Sequence, residues 1–390
     1  MTKQRLSYEG VAVAVPVTVP YARYSTRTAH WFIGQAIEAL VKASGVAKEQ
    51  IDGLCLSSFS LAPDTAVGVT QHLGMSPRWL DHVPTGGASG VMCLRRAARA
   101  VQAGDADIVA CVGADTNHVD SFRQTLGSFS NFARDASYPY GSGGPNSIFA
   151  FITANYMRTY GTKREDFGRI CVDQRTNALG NPNAMFKKPL TLEEYMAARP
   201  ISDPIHLFDC VMPCAGADAF LVMSEERARD LGLAHAVIRG AIERHNAYAE
   251  DPVMVQGGWR KDRDDLYAQA GVQPAALDFV QTYDDYPVIV MMQFEDLGFC
   301  EKGEGSAFVQ SHTMTFDGSF PNNTSGGQLS AGQAGAAGGF LGMVEAIRQL
   351  TDQAGKCAVP NAQLGLVAGF GMVTYDRCLC TGAVILGRPA

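Results

Sequence analysis

The chain has 390 residues, of which 46% are apolar and 18% are charged, and its formal net charge is -7. This composition is typical of a folded protein with a large core, and at roughly 150 residues per domain the length predicts two or three domains. The negative charge disfavours nucleic acid as the main partner. No apolar run reaches the roughly 18 residues that a membrane span requires, and the N-terminus MTKQRLSYEG has no signal-peptide apolar region, so we expect a cytoplasmic protein.

The ten cysteines stand at irregular spacing, and several lie in apolar runs such as DIVACVGAD. We therefore interpret them as reduced thiols. Neither Cys210 with Cys214 nor Cys378 with Cys380 has a matching second pair at zinc spacing, so we predict no metal site. The segment GDADIVACVGAD lacks the Gly-x-Gly-x-x-Gly spacing of a dinucleotide site.

The segment VPTGGASG, residues 83–90, is the most informative stretch of the chain. Its five small residues, 86–90, lead into a helix with apolar residues at helical spacing, and the strand DIVACVGAD follows. Backbone N–H groups at such a helix start are free to bind an oxygen or an anion. This is the setting of a catalytic nucleophile, and Gly87 occupies the position where a reactive cysteine would be expected.

A similar unit recurs near the C-terminus. Residues 85–116 and 324–373 each contain a small-residue turn, a helix and an apolar strand. Near-continuous apolar strands indicate parallel strands buried on both faces, and open α/β sheets bind ligands at the strand ends. A middle segment, residues 117–241, interrupts the pattern with Gly, Pro, Asn and aromatic residues.

Four segments in chain order resemble the motifs of the thiolase superfamily, of the sterol-carrier-protein (SCP-x) or lipid-transfer-protein type. They are VPTGGASG, VQTYDDYPVIVMMQFEDLGFCEKGEG, NTSGGQLSAGQAG and TYDRCLCTGAVIL. The resemblance implies an α/β thiolase fold, in which two similar βαβ-rich halves pack as a five-layer α-β-α-β-α sandwich and a loop domain covers the active site. The implied limits are 1–116 plus 242–272 for the N-terminal half, 117–241 for the loop domain and 273–390 for the C-terminal half.

The catalytic positions of this family are altered here. Thiolases carry the acyl group on a cysteine at the position of Gly87, and a glycine cannot carry one. Tyr283 stands where the family has Asn or His, and Asp284 keeps the acidic residue that follows. A phenol can act as a general acid or base when a site lowers its pKa. We interpret Asp285 and Tyr286 as structural.

The remaining family positions are also only partly kept. Gln333 replaces the histidine of the Gly-His-Pro motif, so it can donate a hydrogen bond but cannot exchange a proton. The resemblance places Cys378 at the second-cysteine position, and the Cys380 backbone N–H would pair with that of Gly87 in an oxyanion hole. We predict the catalytic residues Tyr283, Asp284, Gln333 and Cys378. We predict the oxyanion-hole and substrate-binding residues Gly87, Ser89, Gly326, Gly327, Gly332 and Cys380.

These changes remove acyl transfer through the usual cysteine and leave a thioester pocket that can stabilise an enolate. That combination suits retro-aldol cleavage of a β-hydroxyacyl-CoA with Tyr283 as base. The chain resembles the cysteine-less thiolase-like aldolases that shorten steroid or aromatic acyl-CoA side chains, although those have a second tyrosine at the position of Gln333. The alternatives are an acyltransferase or condensing enzyme, which would use Cys378 or a partner's group as nucleophile, and a non-catalytic acyl-CoA or lipid-binding subunit.

The resemblance also implies the binding partners. We expect a homodimer and a small zinc-ribbon and OB-fold protein of the DUF35 type. Coenzyme A enters as part of the substrate, and no permanently bound cofactor is expected. The acyl group stays open, since the aromatic residues of the middle segment suit either a bulky acyl chain or the core; they are Phe129, Phe132, Tyr138, Tyr140, Phe149 and Phe151.

Overall fold

The computed structural model describes residues 7–119, 138–142 and 144–389. The strands are β1 (Val11–Ala22), β2 (Gly53–Ser57), β3 (Trp79–His82), β4 (Ile108–Asp115), β5 (Pro200–Ser202), β6 (Ile205–His206), β7 (Ala215–Ser224), β8 (His235–His245), β9 (Phe279–Gln281), β10 (Leu364–Thr374) and β11 (Arg377–Gly387). The helices are α1 (Ala29–Ser44), α2 (Ala66–Leu73), α3 (Ser89–Ala103), α4 (Gly144–Tyr160), α5 (Arg164–Ala178), α6 (Leu192–Ala197), α7 (Glu225–Asp230), α8 (Trp259–Ala270), α9 (Pro287–Asp296), α10 (Gly305–Ser311), α11 (Gly327–Ala331) and α12 (Gly338–Leu350).

Nine strands form one continuous sheet in the order β3-β2-β4-β7-β1-β8-β11-β10-β9. Strand β1 pairs with β8 only through residues 12–14, so the sheet divides there into two halves. Parallel pairing, which the apolar runs predicted, holds β2 to β3 and to β4, and β9 to β10. The other neighbours are antiparallel, so the sheet is mixed.

Strand pairing differs from the predicted domain limits in two places. Strand β7, which we expected in the loop domain, pairs with β1 and β4 of the N-terminal half. Strand β8, which spans the predicted limit at residue 242, pairs along most of its length with β11 of the C-terminal half. Both strands are largely apolar and buried, and such segments are stable inside a sheet rather than in a covering loop. The limits of the loop domain stay a prediction.

Helices α3 and α12 form the layer between the two halves of the sheet. Their apolar side chains share one core with strands of both halves, including Leu94 of α3, Phe340 of α12, Phe220 of β7 and Val384 of β11. The two helices approach closely at their N-terminal ends, because a Cβ on Gly90 would lie 2.0 Å from the Gly339 carbonyl oxygen. Each large apolar side chain buried in this layer contributes roughly 1.5–3 kcal/mol.

Helices α1, α8 and α9 cover the outer faces of the sheet. Helix α1 packs its buried face on the strands of the N-terminal half. Helices α8 and α9 cover the C-terminal half, where Trp259 and Leu266 are buried against the same core as Ile289 and Phe294. The layers therefore alternate as helix, sheet, helix, sheet, helix, as the thiolase resemblance implied. Among the described residues, no helix has the length and apolar character needed to cross a bilayer.

Candidate active site

A cavity of about 570 Å³ lies where the turn before α3 meets the turns that precede α9 and α12. The turn before α3 contributes Gly86 and Gly87 to the cavity wall, and the end of β10 contributes residues 370–373. The C-terminal half adds Tyr283, Asp285, Tyr286, Gln333 and Gly335, and the middle segment adds Asn146, Ile201, Cys210, Val211, Pro213 and Cys214. The cavity thus contains three of the predicted site residues, Gly87, Tyr283 and Gln333.

The ring of Tyr283 occupies the space beside Gly87. A Cβ on Gly87 would lie 2.0 Å from both Cε2 and Cζ of Tyr283, and 2.4 Å from the Phe370 carbonyl oxygen. The Tyr283 ring is nearly parallel to that of Phe370, with centroids 6.0 Å apart and an interplanar angle of 13°. A cysteine side chain at position 87 and the tyrosine at position 283 therefore exclude each other sterically.

Gln293 of α9 holds the backbone of Tyr283. The Tyr283 N–H donates to Gln293 Oε1 at 2.9 Å, and Gln293 Nε2 donates to the Tyr283 carbonyl at 2.7 Å. Gln293 is fully buried. Our sequence reasoning missed this residue, although a single amide inside the apolar helix PVIVMMQFED was a usable signal, since a buried polar group needs partners.

Asp284 caps helix α11 and does not line the cavity. Its carboxylate accepts hydrogen bonds from the backbone N–H groups of Gln328 at 2.9 Å and Leu329 at 3.1 Å. Gly327 allows this close approach, because a Cβ there would lie 2.1 Å from Asp284 Oδ2. Burial raises the pKa of Asp284 to about 6, and these N–H donors oppose that shift. Asp284, which we predicted to be catalytic, therefore makes a structural contact in which its carboxylate caps the start of α11.

Asp285, which we interpreted as structural, presents its carboxyl to the cavity. The Tyr283 phenol lies beside this carboxyl, and Gln333 Nε2 donates to Asp285 Oδ1 at 3.4 Å. Burial raises the pKa of Asp285 to about 7, and the neighbouring charge of Asp284 adds to the shift. The hydrogen bonds from Tyr283 and Gln333 act in the opposite direction. Of these two adjacent acidic residues, Asp285 lines the cavity and Asp284 does not.

The electrostatic environment of Tyr283 differs from the expected one. A phenol that acts as a base at neutral pH needs a site that lowers its pKa. Instead, burial raises the pKa of Tyr283 well above its ordinary value of about 10, and the charge of Asp285 raises it further. The phenol is therefore protonated at neutral pH.

Backbone contacts with the middle segment fix Gln333. Its N–H donates to the Met212 carbonyl, and its carbonyl accepts from the Cys214 N–H, both at 2.9 Å. The side-chain amide is thereby directed toward Tyr283 and Asp285. Gln333 is the position at which the middle segment and the C-terminal half meet in the site.

Asp115, at the end of β4, was also missed by the sequence reasoning. Its carboxylate accepts from the backbone N–H groups of Phe59 at 3.1 Å, Ser60 at 2.7 Å and Ala336 at 2.7 Å. It thereby links a loop of the N-terminal half to the turn before α12. Among the described residues, no group of three or more His, Cys, Asp or Glu is arranged to hold a metal ion.

A family model and several known proteins are similar to this chain. A family model described as thiolase C-terminal domain-like matches residues 240–387. The chain is 32% identical over 357 residues to the steroid side-chain-cleaving aldolase of Thermomonospora curvata, covering 86% of this chain and 89% of that protein. The chain belongs to the thiolase superfamily. Within the superfamily it is of the sterol-carrier-protein type and resembles the aldolases.

Two further relatives of this thiolase-superfamily protein match over nearly the whole chain. One is 17-hydroxy-3-oxo-4-pregnene-20-carboxyl-CoA lyase of Mycobacterium tuberculosis, 29% identical over 393 residues, with 96% of this chain and 100% of that protein covered. The other is the solved structure of the Ltp2-ChsH2(DUF35) aldolase. It has a TM-score of 0.84 and 28% identity, and the match covers 97% of this chain and 98% of that one. The predicted thiolase fold is confirmed.

The two cysteines at the superfamily's second-cysteine strand do not line the cavity. The Cys378 thiol donates to the carbonyls of Cys380 at 2.8 Å and Gly371 at 3.4 Å, and the Cys380 thiol donates to Gly371 at 3.2 Å. Burial raises the pKa of Cys378 well above that of a free thiol and raises that of Cys380 to about 12. Because the thiolate is the nucleophilic form, neither side chain is poised for acyl transfer.

Four other predicted residues of this thiolase-superfamily chain also lie away from the cavity wall. The Ser89 hydroxyl is fully buried and donates to the Val83 carbonyl at 3.0 Å, so it ties the start of α3 to the residue that follows β3. Gly326 and Gly332 have φ angles of 102° and 112° and lie at either end of α11. Gly327 begins that helix above Asp284. As ligands of a substrate these residues stay a prediction.

The aromatic residues of the middle segment have different environments. Phe149 is buried and stacks on Tyr286, with ring centroids 4.0 Å apart. Tyr140 and Phe151 are exposed. Tyr138 lies in a single short helical turn. Phe129 and Phe132 lie outside the described residues.

Proposed function

We propose that this protein cleaves a β-hydroxyacyl-CoA by a retro-aldol reaction, without a covalent acyl-enzyme. The observation that carries the proposal is the contact between Gly87 and Tyr283. The tyrosine ring fills the place of the superfamily's nucleophile, so a proton-transferring group stands where the acyl-carrying group would be. The names of two relatives, an aldolase and an acyl-CoA lyase, support the same reaction class.

The reaction needs a base and a site for the thioester oxygen. The base removes the proton of the β-hydroxyl group, the Cα–Cβ bond breaks, and the negative charge passes to the thioester oxygen as an enolate. Tyr283 is the residue that contacts the hydroxyl in this proposal. The backbone N–H of Gly87, at the cavity wall, is one donor to the thioester oxygen. The Cys380 N–H is the second donor that the superfamily resemblance implies; Cys380 does not line the cavity, so this donor rests on the resemblance alone.

The cavity supports a bulky apolar acyl chain. Its volume of about 570 Å³ is in the ordinary range of small-molecule sites. Side chains of Ile201, Val211, Phe370, Met372 and Val373 form its apolar wall. We propose a ring-bearing acyl group, and coenzyme A enters as the thioester part of this substrate rather than as a permanently bound cofactor.

The partners follow from the same relatives. The solved Ltp2-ChsH2(DUF35) aldolase contains a DUF35 component. We propose that this chain also works with a DUF35-type protein, and that two copies of the chain form the central homodimer. Co-purification of the chain with a DUF35-type protein from its own genome, followed by light scattering, tests both partners.

The test of the function is product analysis by mass spectrometry. The chain, alone and with the DUF35-type protein, is mixed with a panel of β-hydroxyacyl-CoAs and with acetyl-CoA. We expect a ketone or an aldehyde together with a shortened acyl-CoA, and a loss of roughly 10²–10⁴-fold in rate for Tyr283→Phe, which keeps the ring and removes only the hydroxyl.

Two other outcomes correspond to the alternative functions. An acyl adduct on a cysteine would replace the lyase by an acyltransferase. Binding of unchanged thioester, equal in wild type and Tyr283→Phe, would replace it by a binding subunit. The raised pKa values of Cys378 and of the cavity-lining Cys210 argue against the first alternative.

A further inference from the structure

We infer that Asp285 is the terminal proton acceptor of the reaction and that Tyr283 relays the substrate's proton to it. This inference rests on the proposed retro-aldol function. It assigns the base to a residue that the sequence reasoning placed outside the catalytic set. It also gives Gln333 a role, which is to set the ionisation of the Asp285 carboxyl.

Three residues of one cavity wall bring the relay together: Tyr283, Asp285 and Gln333. The Tyr283 phenol lies beside the Asp285 carboxyl, and the Gln333 amide donates to the same carboxyl at 3.4 Å. A phenol that donates its proton keeps its oxygen lone pairs as acceptors. A substrate hydroxyl in the cavity can therefore donate to Tyr283 while the phenol donates to Asp285.

The order of proton affinities favours this relay over a phenolate base. Burial and the charge of Asp285 raise the pKa of Tyr283, so phenolate is scarce at neutral pH. Burial raises the pKa of Asp285 only to about 7, so a large share of this carboxyl is ionised at neutral pH. A catalytic base is most effective when its pKa lies near the working pH.

The proton and electron pairs balance over one turnover. The β-hydroxyl proton passes to the phenol oxygen while the phenol proton passes to the Asp285 carboxylate. The Cα–Cβ bond breaks, its electron pair forms the thioester enolate, and the β-carbon becomes the carbonyl of a ketone or an aldehyde. The phenol then donates a proton to Cα of the enolate, and the Asp285 carboxyl returns its proton to the phenol oxygen.

Other titratable groups of the same cavity and segment surround Asp285. On its own segment they are Tyr283, Asp284 and Tyr286. From other elements, Asp115, His118, Cys210 and Cys214 line the same cavity. No lysine or arginine is found among the described residues that line it. Hydrogen bonding by Gln333 and Tyr283, rather than an ion pair, is therefore what favours the Asp285 carboxylate.

The experiment compares wild type with Asp285→Asn, which keeps the shape of the side chain but cannot accept a proton. In the wild type, kcat/KM is expected to rise with pH through an apparent pKa near that of Asp285, about 7. In Asp285→Asn we expect this acidic limb to disappear and kcat to fall by roughly 10²-fold or more. Equal affinity of both proteins for an acyl-CoA that lacks the β-hydroxyl shows that the variant cavity is intact.

A second readout does not require turnover. NMR spectra of protein labelled with ¹³C at tyrosine Cζ, with the Tyr283 signal identified by its loss in Tyr283→Phe, report the pKa of the phenol. We expect this pKa to fall in Asp285→Asn, because the raising charge is removed. An unchanged phenol titration in Asp285→Asn would overturn the relay.

The outcomes separate the relay from the function on which it rests. Wild-type turnover together with an unchanged pH profile in Asp285→Asn would overturn the relay alone. Absence of any wild-type cleavage, with and without the DUF35-type protein, would overturn the proposed function and the relay with it.

Discussion

A methyl group added to Gly87 would lie 2.0 Å from the ring of Tyr283, so the two positions are coupled by volume. We expect Gly87→Ala to lower the free energy of unfolding by about 1–3 kcal/mol, since overpacking a close-packed site costs that much, and to reduce kcat by moving the phenol. Denaturant unfolding measures the first effect and steady-state kinetics the second. The matched control is Gly68→Ala, where a Cβ would meet nothing within 4 Å.

Removal of the ring should relieve part of that overlap. The double variant Gly87→Ala/Tyr283→Ala is expected to be less destabilised than the sum of the single variants. The relief is partial because the added methyl group also lies 2.4 Å from the Phe370 carbonyl oxygen. Strict additivity in the double-mutant cycle would show that the two sites are independent.

Loss of the Gln333 amide should shift the pH dependence of kcat/KM to higher pH. The hydrogen bond from Gln333 lowers the pKa of Asp285, so Gln333→Leu is expected to raise that pKa and shift the acidic limb of kcat/KM to higher pH. At pH 6 the variant would lose more activity than at pH 8, because less of its Asp285 is ionised. A shift to lower pH would contradict the assignment of Asp285 as base.

Loss of the Asp284 charge should shift the acidic limb of kcat/KM to lower pH, opposite to the effect of Gln333→Leu. The charge of Asp284 raises the pKa of Asp285, so Asp284→Asn is expected to shift the limb to lower pH. The variant also loses a carboxylate that accepts from two backbone N–H groups at the start of α11. We therefore expect a fall of about 1–3 kcal/mol in the free energy of unfolding. An unshifted limb in a folded variant would contradict the coupling of the two carboxyls.

Gln293 should act as a positioning residue. Gln293→Leu leaves the N–H and the carbonyl of Tyr283 without their buried partner, which costs about 1–3 kcal/mol for each group. Because the phenol is then misplaced, kcat should fall more than KM rises. Gln71→Leu, on an exposed face of α2, is the control and should change stability by less than about 0.5 kcal/mol. A fall in stability with unchanged kcat would restrict Gln293 to a purely structural role.

The Cys378 thiol should be dispensable for the reaction. Its Sγ donates to the carbonyls of Gly371 and Cys380, and its raised pKa keeps it protonated. We expect Cys378→Ala to form product at close to the wild-type rate, with a stability loss of about 1 kcal/mol. Loss of activity in a folded Cys378→Ala protein, measured beside Tyr283→Phe, would return the thiol to the mechanism.

The superfamily and the fold followed from the sequence alone, and three of the ten predicted site residues line the cavity. Four motifs in the right order were sufficient, because small-residue turns, apolar strands and helix starts are local features of the chain. Gly87, Tyr283 and Gln333 stand at motif positions, so their meeting in one site followed from the resemblance. The composition of the middle segment did not reveal that β7 belongs to the main sheet.

Tertiary contacts, by contrast, settle which of the two adjacent acidic residues lines the cavity. The superfamily resemblance favoured Asp284 over Asp285, but Asp284 is turned toward backbone N–H groups 44 and 45 positions later in the chain. The direction of a side chain in a turn is set by contacts between distant segments, and local propensity does not contain that information. For the same reason, the roles of Gln293 and Asp115 were not predictable from the sequence. The packing of Cys378 against its own hairpin, outside the cavity, was not predictable either.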